Sequence, residues 1–156
     1  MQVRVNSLWK VPVFCAVTSW ASFQLTVYLG RFYITESIVD GVNHISADPL
    51  RSNICTAVLF LTFLLIGGLW FRRSMTKKEI AVSAAIASVL YFVVILAELC
   101  IPMFPVAWSV SLAYVSNWCG IFGSFLGKLL PSSTLVTILS RFAPLLFIPF
   151  GKKTKH

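Results

Sequence analysis

Four long apolar stretches constrain this chain more than anything else in it. They run from about Val11 to Leu29, Asn53 to Phe71, Ile80 to Ile101 and Val106 to Gly127, with a single acid, Glu98, among them. About 20 residues of helix cross a hydrocarbon layer roughly 30 Å thick, and each stretch is close to that length. A backbone in lipid must satisfy its own hydrogen bonds, and the stretches lack the inside/outside alternation of barrel strands, so helices are expected. Only 12% of residues are charged and mean hydropathy is +0.85, whereas soluble domains carry about a quarter of their residues as charged groups. The expected fold class is an all-α integral membrane protein, one domain over residues 1–156, with four transmembrane helices in an antiparallel bundle.

Charge sets the expected orientation, because short loops rich in Lys and Arg stay on the cytoplasmic side. Arg72, Arg73, Lys77 and Lys78 stand against one acid, Glu79, between the second and third stretches. Alternation then places Arg4 and Lys10 near the N-terminus, and Lys128 after the fourth stretch, on the same inner side. The loop 30–52 faces outward and carries Glu36, Asp40 and Asp48, three of the five acids. This describes a multi-pass protein of the cell membrane with both termini cytoplasmic. The first stretch lacks a small-residue cleavage site and reads as a retained span. A net charge of +8 could suggest nucleic acid, but the basic residues sit at block edges without interleaved aromatics. The lipid bilayer is the expected partner, and no nucleic acid.

Residues 129–150 are long enough for a fifth span but are interrupted by Pro131, Arg141, Pro144 and Pro149. Ser132 and Ser133 resemble a helix N-cap, and Thr134, Thr137, Ser140 and Arg141 oppose Leu135, Ile138, Leu139 and Phe142. A helix lying in the cytoplasmic interface is expected, then a short apolar plug and a basic tail at 151–156 drawn to anionic headgroups.

In the outer loop Glu36, Asp40, His44 and Asp48 recur every four residues, opposite Ile34, Ile38, Val39, Val42 and Ile45. An amphipathic helix from about Ile34 to Ala47, resting on the outer surface, would produce this pattern. Its acidic stripe is a weak candidate for a divalent cation, more simply read as a solvated face. His44 as a base for Cys55 is a further reading of the same side. The four cysteines form no CxxC or Cys/His cluster, and no cofactor is expected.

Packing is most legible in the fourth stretch, where Ser116, Gly120, Gly123, Ser124 and Gly127 give small residues at four-residue spacing. The third has Ala81, Ala84, Ala85, Ala87 and Ser88 at its cytoplasmic end. The two patches share a depth, so a close contact between the third and fourth helices is expected there, with homodimerisation as the alternative use. Glu98 is a transport candidate, since ionisable groups within membranes are costly and commonly functional. At roughly 27 Å along its helix it reads more simply as an outer-interface anchor paired with Arg51 or Arg31. Cys55 and Cys100 share a depth that would permit a disulfide, although packed free thiols are the simpler state. Gln24 and Asn117 suit interhelical hydrogen bonds, and Trp9, Trp70 and Trp108 suit an aromatic belt.

A small accessory or structural subunit, acting through helix contacts with itself or a membrane protein partner, is the function these features favour. A transporter or channel using Glu98, and a membrane enzyme using His44 and the outer acids, are the alternatives.

Overall fold

The computed structural model describes residues 4–39, 42–100 and 106–152, with side chains for all of these except 37–39, 42–44, 98–99 and 106–113. The apolar stretches form the helices α1 (Lys10–Leu29), α2 (Pro49–Ser74), α3 (Lys77–Cys100) and α4 (Val106–Leu126). Among the described residues, three segments are long and apolar enough to cross a membrane: Val5–Phe32, Pro49–Ser74 and Lys77–Ala97. Strongly exposed Val13, Val17, Val58, Leu61, Leu65, Val89 and Val93 clothe their outer faces. Such a surface suits hydrocarbon better than water.

Capping extends two helices past the apolar blocks. Asp48 accepts from the backbone N–H of Leu50 (2.9 Å) and Arg51 (3.2 Å) at the start of α2, with Pro49 in the first turn. At the start of α3, Thr76 and Glu79 form a capping box: Glu79 Oε2 accepts from Thr76 N–H (2.9 Å), and Glu79 N–H donates to Thr76 Oγ1 (3.3 Å). The connection between α2 and α3 is therefore only Met75 and Thr76.

The outer loop is not the expected amphipathic helix. It is an antiparallel hairpin of β1 (Ile34–Val39) and β2 (Val42–Ala47), in a register running from Ile34 opposite Ala47 to Val39 opposite Val42. β-branched residues make up four of the six in β1 and two of the six in β2, and in the sequence Asp40-Gly41 stands between them, a pair that marks hairpin turns. Those preferences outweigh a four-residue recurrence that only a helix would turn into a stripe.

α1 is the centre of the bundle. It runs antiparallel to α4, as successive contacts from Phe23 with Tyr114 (ring centroids 4.3 Å) through Ser22 with Asn117 to Ser19 with Trp118 demonstrate. It runs alongside α3 from a common end, where the Ser83 hydroxyl donates to the Leu8 carbonyl and accepts from Val11 N–H (3.2 Å). At that same end Arg4 Nε donates to Glu79 Oε1 (2.9 Å), and Arg4 Nη2 donates to the Ser74 carbonyl (3.0 Å). Arg4, Lys10, Arg72, Arg73, Lys77, Lys78 and Lys128 thus gather at one end of the molecule.

The expected pairing of the third and fourth helices is corrected by what lies between them. α4 packs along α1 and touches α3 only sparsely, because the C-terminal segment occupies the space the two small patches were expected to share. α5 (Ser133–Ser140), capped by the Ser132 hydroxyl as expected, packs on α4. A Cβ at Gly123 would lie 3.2 Å from Ser140 Cβ, and one at Gly127 would lie 4.0 Å from Val136 Cγ1. A 3-10 helix (Ala143–Phe150) follows, inclined at 44° to α5, and packs most extensively on α3. Phe142 meets Phe92 at one end of that contact, and Gly151 meets Lys77 at the other. The chain closes as a short parallel bridge, Lys152 N–H donating to the Met75 carbonyl and Lys77 N–H to the Lys152 carbonyl (3.2 Å each).

Within residues 133–152, α5 lies on the outer flank of α4 with Leu135, Ile138 and Leu139 exposed, whereas the 3-10 helix is packed into the bundle. Together they climb beside α4, turn at Arg141–Phe142 and descend beside α3 to the end they left. Ala143, Pro144 and Phe147 are buried. Close approach explains the glycine pair in α2, because a Cβ at Gly67 would lie 2.5 Å from Phe14 and 2.7 Å from Phe147, and one at Gly68 2.5 Å from Phe150. Trp118 is sandwiched between Phe60 (4.3 Å, stacked) and Phe147 (5.9 Å, stacked), which joins α2, α4 and the C-terminal segment in one aromatic core.

Candidate functional site

The most unusual chemistry in the bundle is at the turn of the C-terminal hairpin. Arg141 ends α5, its backbone N–H donating to the Ile138 carbonyl (3.2 Å). Its side chain enters the interior beside the Cys119 thiol of α4, with Tyr91 of α3 nearby. Cys119 is seven residues from the end of α4, so the guanidinium sits roughly 10 Å in from the basic end. Arg141 Nε is buried and has no hydrogen-bond partner; Trp118 Nε1 and Ser88 Oγ are in the same condition. An orphaned buried donor costs about 1–3 kcal/mol, more on a charged group.

Surrounding polar groups are spent on packing. Asn117 Nδ2 donates to Ser22 Oγ (2.8 Å), Trp118 N–H donates to Ser19 Oγ (3.0 Å), and the Tyr91 hydroxyl donates to the Val115 carbonyl (3.3 Å). Asn117 takes the interhelical role expected of it. Ser19, Ser22 and Ser83 carry more of the packing, and a serine in an apolar run gives little sign of which neighbour it will meet. Cys15 and Cys119 are buried free thiols; Cys55 and Cys100 are also free, with Cys100 exposed.

The remaining expected site residues are dispersed. Asp48 is engaged as the α2 cap and in an ion pair with Arg51 (3.3 Å), so Arg51 has a partner other than Glu98. Arg31 lies over the Tyr28 ring at 3.8 Å. Pairing Glu36 with Ile45 and Ser37 with His44 puts positions 36 and 44 on opposite faces of the ribbon. Asp40 lies outside the described residues, as do the side chains of His44 and Glu98. Among the described residues no three His, Cys, Asp or Glu groups come together as metal ligands. In the fourth helix, Gly123 and Gly127 serve α5, whereas a Cβ at Gly120 would meet nothing within 4 Å. In the third, Ala84, Ala87 and Ser88 are buried and Ala85 is exposed.

No family model, curated protein or solved structure matches this chain.

Proposed function

We propose that this is a four-span protein of the cell membrane, with both termini cytoplasmic, that acts as an accessory or structural subunit through lateral helix contacts. One observation carries the reading: interior polar groups are largely consumed in joining helices, while the outer faces of α1, α2 and α3 present continuous apolar surface. α4 supplies the fourth span, and its open Gly120 face, together with the apolar groove of Ala57, Phe60, Leu61, Phe122 and Phe125, offers a helix-docking flank. The basic end faces the cytoplasm under the positive-inside rule. Photo-crosslinking groups placed at Leu61 and Gly120 are expected to capture a second copy or a membrane partner in intact cells. A strictly monomeric protein with no captured or co-purifying partner after mild solubilisation ends this reading.

A second reading, a small transporter or channel, is favoured by Arg141, because an ionisable group among membrane helices is a functional candidate by default. Its path would start at Arg141, with Glu98 as the outer candidate, whereas Gln24 is exposed on α1 and Asn117 is bonded to Ser22. Flux into proteoliposomes that persists in both Arg141→Gln and Glu98→Gln removes these residues from any path.

A further inference from the structure

Two concavities lie near the start of α1. One, of about 400 Å³, is lined by Arg4, Val5, Asn6, Ser7 and Lys10 at the basic end. The other, of about 270 Å³, is a groove between α1 and α3, walled by Trp9, Pro12 and Val13 on one side and Ala87, Leu90 and Val94 on the other. The first is half polar, the second almost entirely apolar. Along the sequence the groove begins at Trp9 and the pocket ends at Lys10. Arg4 is held by Glu79 and the Ser74 carbonyl, which fixes one wall. Among the described residues Lys10 has no carboxylate partner.

We propose that this is a binding site for one anionic glycerophospholipid, with its phosphate in the Arg4–Lys10 pocket and an acyl chain along the α1–α3 groove. Charge complementarity selects the headgroup: the Lys10 cation with the Asn6 side chain beside it, at the end where Arg72, Arg73, Lys77 and Lys78 also gather, attracts anionic lipid. The groove selects the chain, since it is narrow, open on its side, runs lengthwise beside exposed Trp9 and contains little of the polar lining that a peptide backbone would need. The site rests on the membrane reading and deepens it; retention of the protein in carbonate-washed membranes tests that reading separately.

The experiment uses the full chain in detergent, with thermal stability followed as lipid is added. Phosphatidylglycerol is expected to raise the melting temperature saturably and phosphatidylcholine to leave it nearly unchanged. Lys10→Glu is expected to weaken the phosphatidylglycerol effect by roughly tenfold. Val13→Trp, a change at an exposed position that fills the groove, is expected to abolish it while the lipid-free melting temperature holds. Lys128→Glu, which alters charge at the same end but outside the pocket, is expected to bind as the unaltered protein does. Equal effects of the two lipids, equal losses from Lys10→Glu and Lys128→Glu, full binding by Val13→Trp, or an equal shift from inorganic phosphate alone would each overturn the proposal.

Discussion

At the scale of single residues, the structure turns on contacts where one atom too many cannot be accommodated. Gly151 has an ordinary negative φ of −63°, so its requirement is space, not conformation. A Cβ there would lie 2.6 Å from both the Lys77 Cα and its nitrogen, and backbone yields less readily than a side-chain tip. Gly151→Ala is expected to cost about 1–3 kcal/mol, read as a lowered unfolding midpoint in detergent; an unchanged midpoint would show that Lys152 need not dock on the α2–α3 turn. Arg141 is the opposite case, a group whose removal should help. Its unpartnered Nε is a penalty built into the bundle, so Arg141→Met is expected to raise stability by on the order of 1 kcal/mol. A fall in midpoint would reveal that the guanidinium has compensating partners. The sequence marks Arg141 only as an interruption of an apolar run, because a charge at a surface and one at an interior turn are written identically. Gly67 and Gly68 were equally silent, since a glycine pair in a span does not name the aromatic ring that will cross it.

At the scale of elements, three long helices, the Ser132 cap and the inter-helix role of Asn117 were readable, because apolar run length and capping chemistry are local properties. In the hairpin two patterns compete: acids at every fourth position suggest a helix, while the β-branched run Ile34–Val39 followed by Asp-Gly specifies strands. A cysteine-free background carrying Glu36→Cys with Ile45→Cys, which the register pairs directly, is expected to oxidise readily. Glu36→Cys with Asp48→Cys joins positions that are not paired in the register and should crosslink far less; equal yields would reject the hairpin. The third and fourth helices illustrate a different limit. Small residues announce that something approaches closely, but not which element, and here α5 takes Gly123 and Gly127 while the 3-10 helix packs most extensively on α3.

For the whole molecule, composition and loop charge were enough to expect lipid as solvent and an inside-facing basic cluster. The course of residues 129–150 was not legible, because a segment that enters and returns has the composition of a span interrupted by proline and needs partner surfaces to specify its turn. Thiol labelling of a Lys78→Cys variant and of a Ser132→Cys variant, each in a background lacking the native cysteines, is expected only after the inner face is made accessible; labelling of either from outside intact cells would invert the proposed topology. The path of residues 133–152 also bears on the expected order of assembly. Phe147 and Phe150 fill the space over Gly67 and Gly68, so under the proposed membrane topology the first three helices are expected to complete their mutual packing only once residues 143–152 have been synthesised. A chain truncated before Ser132 is then expected to lack the side chains that cover Gly67 and Gly68, leaving that face of α2 open.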